Sequence, residues 1–385
     1  MSRRLAATSL LLALVLAAAG RGRPSRRPKY GGTLRVEIGA VVSSPDPAVA
    51  AANSHEAFAK DEIAALLYDH RNPDGTFAGV PGSGPFRISE WEPGKRAVLA
   101  ANENYRGGRP FVDSVEIQMG RTARDRLLDL ELGKADVAEI LPEEARRASE
   151  RGMRVSTSEP DELLAVVFVS GRPPAEDARV REALARSIDR AAIVNFILQK
   201  GGEPAGDLLP QWSSGTAFLF STSRDAPAAK DLWAQIGGSP KIVLGYDASD
   251  SLEQSVAERI VVNAREAGIV ISAEANANAA SSPAKDGARL MRLWMISPHP
   301  REALTDFVTA LDPIEGIDPA PLLPEGASAQ QIYEREREIL SSYRVVPLVW
   351  LPQVYGLGAR VRNWKAPTAG EGWPFTDVWL EENSQ

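Results

Sequence analysis

No cysteine occurs among the 385 residues, so disulfides and thiolate metal centres are excluded. A chain without thiols suits an exported protein, which then has none to mispair. Histidine is nearly absent too: His55, His70 and His299 are scattered, and no two stand at the spacing of helical metal ligands. Basic residues number 44 against 51 acidic ones, a formal net charge of −7 that gives no support to nucleic-acid binding. Catalytic patterns are missing as well. In Pro81-Gly82-Ser83-Gly84 the glycines abut the serine, unlike a Gly-x-Ser-x-Gly elbow. The acidic pairs Glu143-Glu144 and Glu381-Glu382 lie in charged surface runs. The chain is therefore read as a non-enzyme, and no cofactor is expected.

What is present is an ordinary globular composition, 44% hydrophobic and 25% charged, with length for two or three domains. Arg3 and Arg4, the apolar run Leu10 to Leu16 and Ala17-Ala18-Ala19 follow the order of a secretory signal, too short to span a membrane. Arg21 to Lys29 reads as a basic, proline-containing tether. A periplasmic or otherwise extracytoplasmic location is expected.

The most specific stretch begins at Gly82-Ser83-Gly84-Pro85-Phe86-Arg87-Ile88. It continues through Trp91, the turn Glu92-Pro93-Gly94, then Asn102, Tyr105, Gly107 and Gly108 to Phe111-Val112-Asp113 and Val115-Glu116-Ile117. Glycines free the turn, Pro85 fixes its exit, and alternating apolar residues mark the strands. A hairpin accounts for the alternation but not for the joint spacing of Trp, Asn, Tyr and Gly-Gly. The run resembles the signature of the family 5 extracellular solute-binding proteins, the peptide- and nickel-type receptors of ABC importers.

A second stretch, Asp177 to Lys200, repeats apolar residues at helical spacing: Val180, Leu184, Ile188, Ala191, Val194 and Leu198. Asp177 and Asp189 suit two helix starts, and Gly201-Gly202 a stop. Asp177, Arg179, Val180, Arg181, Ala183, Leu184, Ile188, Asp189, Arg190, Ile193 and Val194 match a second pattern of the family. Their charges read as caps, ion pairs and a solvated face rather than ligand contacts.

Between these landmarks, Phe58 to Tyr68 and Ala123 to Leu132 predict helices, and Leu163 to Val169 a buried strand. Lys241–Asp247, Leu252–Ala267 and Ile269–Ile271 form a strand–helix–strand unit with parallel strands and no phosphate-binding glycine loop. Leu290 to Ile296 is a strand carrying Trp294. Ser328 to Tyr343 is a helix, and Val345 to Tyr355 an apolar return strand.

The resemblance implies an α/β, two-lobed periplasmic binding protein-like (type II) fold with mixed sheets. Residues 1–29 would be signal and tether, 30–168 with 352–385 a shortened lobe 1, and 169–351 lobe 2. The crossing strands are expected near 167–170 and 349–353. A long segment that relatives carry between the first strand and Gly82 is missing, whether as a natural minimal form or as a deletion product. The implied partners are a peptide or small-molecule ligand and importer permease subunits, with no nucleic acid and a monomeric chain. The other reading is a scaffold or interaction protein that keeps the fold without a transport ligand.

By resemblance, Ser44 and Asp46 in Ser44-Pro45-Asp46-Pro47 fall beside the cleft, or form a plain turn. Trp212 is a cleft residue or loop packing, Trp294 is a ligand wall or core, and Trp373 is expected to face the cleft. Where peptide-binding relatives place an aspartate that pairs with the peptide amino terminus, Ser297 stands here, followed by His299 in a proline-flanked loop. Loss of that carboxylate puts the usual anchoring of a free amino terminus in doubt.

Overall fold

The computed structural model describes residues 28–72, 76–215, 220–238, 240–276, 287–315 and 323–381. Most of the expected export signal and tether, residues 1–27, lies outside them, as does most of the small-residue loop near 277–286.

The strands of the first part are β1 (Thr33–Glu37), β2 (His70–Arg71), β3 (Phe77–Ala78), β4 (Phe86–Glu92), β5 (Arg96–Ala101), β6 (Ser114–Gln118) and β7 (Val137–Glu139). The middle contributes β8 (Arg154–Phe168), β9 (Glu203–Pro204), β10 (Ile242–Asp247), β11 (Ile271–Asn276) and β12 (Ala288–Trp294). The last part adds β13 (Val345–Leu357), β14 (Val361–Arg362) and β15 (Trp379–Leu380). One mixed sheet runs in the order β11-β10-β12-β8-β13-β7-β1-β6-β5-β4. The parallel pair β10–β11, with the helix Ser251–Glu266 between its strands, is the unit expected from the sequence.

β8 and β13 are long because each serves both halves. Arg154 to Thr157 pair with Leu357 to Val354, beside β7. Further along, Leu163 to Phe168 lie between β12 and the first part of β13. The register slips where Pro160 faces Pro352. Proline has no N–H for the ladder, so a pair of them interrupts it at one level of both strands. Val167, expected at the crossing, instead pairs with Val345 and Arg289 well inside the second half. The slip lies beside the proline and acidic residues that precede the apolar run, not at the end of that run.

Two cores flank this crossing. The first gathers Leu34, Val36, Ile63, Phe86, Leu99, Val115, Ile117, Tyr355 and Phe375. The second is divided by the sheet. Leu164, Val166 and Phe168 face the helices Ala178–Ser187 and Ser251–Glu266. Leu163, Ala165 and Val167 face the helices Pro300–Glu315 and Ala329–Ser341. A strand covered on both faces must be apolar at every position, which is why β8 lacks alternation there.

The first signature is structural. Asn102 is buried, and its Nδ2 donates to the carbonyls of Gly84 at 2.8 Å and Gly82 at 3.3 Å. Its Oδ1 accepts from Arg87 at 2.8 Å. The side chain thus clamps the glycine turn that starts β4. A Cβ on Gly84 would stand 2.7 Å from the carbonyl oxygens of Leu66 and Tyr68, so only glycine allows the turn to lie on the end of the Ser54–Leu67 helix. Asp113 accepts from the backbone of Gly32 at 3.0 Å and ties β6 to the start of β1.

In the second signature, Asp177 and Asp189 cap successive helical segments by accepting from Arg179 and Ala192 backbone amides. The helix leaves through Gln199 and Lys200, whose φ values are positive, rather than through Gly201-Gly202 alone. Arg181 and Arg190 are not on a solvated face. Arg181 is buried and donates to the carbonyls of Ala175 and Ser342, and Arg190 to that of Pro347. They satisfy carbonyls that the packed chain would otherwise leave without donors.

Candidate functional site

The seam between the halves is lined by ionisable side chains. Arg292, on β12, donates from Nη2 to Glu162 at 2.9 Å and from Nη1 to Asp250 at 2.7 Å. Its Nε also bonds to Glu162. Asp250 is the N-cap of the Ser251–Glu266 helix, accepting from Leu252 at 2.8 Å and Glu253 at 3.0 Å. Glu162 stands at the start of the buried part of β8. A guanidinium held by two carboxylates has most of its donors satisfied and its charge balanced, the condition for burial.

The first half supplies the opposite wall. The His55 ring stacks on the Trp294 indole with centroids 4.3 Å apart and planes 6° from parallel. Arg292 lies 5.1 Å from the same indole. Burial, helped by Arg292 and Arg126, pushes His55 down to about 3, so the imidazole is neutral. Glu139 on β7 accepts from the Gly39 backbone at 2.7 Å, while Arg126 donates to the Glu139 carbonyl at 2.7 Å. Burial raises the Glu139 and Glu162 carboxyls, against the pull of Arg126 on the first and Arg292 on the second. Glu143, expected in a charged surface run, is instead partly buried, and its carboxyl is pushed up to about 7, chiefly by burial and further by Glu144.

A second group lies at the crossing. Gln353 Nε2 donates to Asp161 at 3.3 Å, and its backbone N–H donates to Ser158 at 2.8 Å. The Trp212 indole donates to the Pro160 carbonyl at 2.7 Å, and Ser213 donates to Pro298 at 3.0 Å. Trp373 is buried, donating to the Tyr355 hydroxyl at 3.2 Å within a stack that includes Phe375 and Trp364. It also lines an open cavity of about 470 Å³ with Tyr68, Arg71, Phe77, Tyr105 and Lys365.

The residues expected at the site thus divide. Trp294 lies in the seam, and Trp212 and Ser297 near the crossing. Ser297 donates to Glu302 at 2.8 Å and accepts from the His299 backbone at 3.2 Å, while the His299 side chain is exposed. Ser44 and Asp46 are bound up in their own turn: Ser44 accepts from Asp46 at 3.2 Å and Asp46 from Ala48 at 2.9 Å. Arg292, Glu162 and Asp250 were not anticipated. The signal available was an arginine inside the apolar strand Leu290 to Trp294, and Asp161-Glu162 directly before an unbroken apolar run. Among the described residues no group of three or more His, Asp or Glu is placed to hold a metal, and no helix is long and apolar enough to cross a membrane.

Two lobes joined by long shared strands, with a polar seam between them, define the architecture of a periplasmic binding protein. Among solved structures, the ABC transporter substrate-binding protein CtaP of Listeria monocytogenes shares this fold with a TM-score of 0.74 at 15% identity, covering 92% of this chain and 100% of that one. The profile described as "Bacterial extracellular solute-binding proteins, family 5 Middle" matches residues 36–310, and the chain belongs to that family. It is 27% identical over 222 residues to the probable D,D-dipeptide-binding periplasmic protein DdpA of Escherichia coli, 56% of this chain and 43% of that protein. It is 24% identical over 226 residues to the nickel-binding periplasmic protein of the same organism, 53% of this chain and 43% of that one. The chain therefore spans under half the length of these curated relatives.

Proposed function

We propose that this chain is the extracytoplasmic binding component of an ABC importer, for a peptide or a related small solute. The observation that carries this reading is the paired irregularity of β8 and β13 at Pro160 and Pro352, beside an ionisable seam. Two strands interrupted at one level form a hinge, and a solute contacting both walls would stabilise closure. The lobe boundary falls at this level rather than after residue 168. The name of the D,D-dipeptide-binding relative supports a peptide as the default solute, and both names support the periplasm as the location. Permease subunits would receive the closed, monomeric form.

The rival reading, a scaffold that retains the fold without a transport ligand, draws on one observation. The seam is already closed on its own side chains, His55 against Trp294 and Arg292 between Glu162 and Asp250. Melting temperature and tryptophan fluorescence, measured with a peptide library, separate the two readings. A ligand at a hundred times its dissociation constant stabilises the folded state by about 2.7 kcal/mol, which moves the melting temperature by several degrees. Eight tryptophans, Trp294 among them, give the optical signal. A library that changes neither quantity would sink the importer assignment and leave the scaffold.

A further inference from the structure

The open cavity of about 470 Å³ that Trp373 lines belongs to the first half, and none of His55, Glu162, Asp250, Arg292 or Trp294 lines it. Two stretches of chain build its walls. The end of the Ser54–Leu67 helix and the β2–β3 hairpin give one, with Tyr68, Arg71 and Phe77. Residues within 365–377 give the other, and Tyr105 of the first signature adds a third ring. The second wall is fixed in place. The Ala366 backbone donates to Ser156 at 2.8 Å, and Asn363 Nδ2 donates to the Asp377 carbonyl at 3.1 Å. Gly372 has a positive φ, and a Cβ there would stand 2.8 Å from that of Ala65, so the segment lies directly against the helix.

The charged groups around the cavity divide. Arg71 is taken by Asp61, through bonds of 3.0 and 2.7 Å. Asp69 is taken by His70 and by Arg106, the latter at 3.1 Å. Glu371 accepts from the Thr368 backbone at 3.2 Å. Lys365 and Asp377 differ from these: among the described residues neither side chain has a hydrogen bond or an ion pair. They line the same space and stand too far apart to pair with each other. The hydroxyls of Tyr68 and Tyr105 are likewise without a protein partner among the described residues.

A cavity that keeps an ammonium and a carboxylate apart suits a solute that carries the complement of both. A simple cation would meet Lys365, and a simple anion Asp377, each as a like charge. A zwitterion turns its carboxylate to the first and its ammonium to the second, and supplies each with what it lacks. The rings of Tyr68, Phe77 and Tyr105 offer apolar faces to its side chain. The volume lies within the range of small-molecule sites, about 300–1,000 Å³.

We propose that this cavity is a second binding site, apart from the seam, for a zwitterion the size of an aromatic amino acid. Lys365 receives the carboxylate, Asp377 the ammonium, and Tyr68, Phe77 and Tyr105 the side chain. The site goes beyond the importer reading and stands without it.

The test is calorimetry on the full chain at pH 7 with three probes: phenylalanine, phenylalanine amide, which lacks the carboxylate, and N-acetylphenylalanine, which lacks the ammonium. Phenylalanine should bind the native chain about threefold to fivefold tighter than either derivative, the reach of an exposed ion pair. Lys365→Gln should erase the preference over the amide and keep that over the N-acetyl form; Asp377→Asn should do the reverse. Lys365→Arg keeps the charge and should keep both preferences. Lys365 and Asp377 are exposed, so each variant should fold, which its melting temperature checks. If the three probes bind the native chain equally, or if both preferences survive both substitutions, the site is wrong. If a substitution weakens all three probes alike, the residue shapes the wall without meeting a charge, and the assignment also falls. If phenylalanine does not bind at all, the second site is overturned, while the importer reading is left to the peptide library.

Discussion

Replacing Glu253 by glutamine should make the protein more stable in alkali and leave it unchanged in acid. Glu253 lies in the first turn of the Ser251–Glu266 helix, is buried, and accepts from the Asp247 backbone at 2.8 Å. Burial, then Asp250 and Asp247, disfavour its ionised form; Arg292 only partly offsets them, and the carboxyl is pushed up from 4.5 to about 8. The folded protein therefore holds this proton more tightly than the unfolded chain does. The stabilisation is complete below pH 4.5 and is lost as pH rises through about 8. At roughly 1.4 kcal/mol per unit, the loss has a ceiling on the order of 4–5 kcal/mol. Glutamine keeps an oxygen for the Asp247 amide and never ionises. In urea unfolding at low salt, the variant should match the native protein at pH 5. At pH 8.5 it should exceed it by about 2–4 kcal/mol. An equal gap at both pH values, or a less stable variant at pH 8.5, would refute the claim that ionising Glu253 strains the fold.

Two further substitutions probe other parts of the argument. Arg292→Met leaves Glu162 buried, and Asp250 half-buried, without their cationic partner, and should cost about 3–5 kcal/mol in chemical denaturation, with part recovered by adding Glu162→Gln. No recovery in the double variant would mean that the arginine acts through packing. Asn102→Ala removes the clamp on the Gly82–Gly84 turn and should cost about 2–3 kcal/mol, since the carbonyls and Arg87 lose a buried partner. A loss under about 0.5 kcal/mol would place it with ordinary surface changes and dismiss the clamp.

The elements were legible where one physical signal dominated. Asp177 and Asp189 announce helix starts because a short acceptor before a helical run has few other uses, and both do cap. Leu163 to Phe168 reads as a doubly covered strand because nothing polar interrupts it. The seam was less legible, because its members are far apart in the chain. Arg292 and Glu162 are separated by 130 residues, and only antiparallel pairing of β12 with β8 brings them together. Arg181 and Arg190 look like solvated charges by spacing, whereas their true partners are carbonyls more than 150 residues away in the cases of Ser342 and Pro347. Ser44 and Asp46 carry a site assignment by resemblance, and the structure shows them in a local turn, Ser44 accepting from the Asp46 backbone and Asp46 from that of Ala48. Local pattern identifies an element; it does not say which distant surface that element meets.

β13 contributes residues to both hydrophobic cores, and β8, packed in the second, reaches the first half by pairing with the end of β13 beside β7. Neither half could be cut out as an autonomous piece without taking the other's central strand with it. The chain should accordingly melt as one cooperative unit. Under the proposed function, closure would be a bend about the proline level rather than a separation of parts, because the strands that would permit movement would also set its limit.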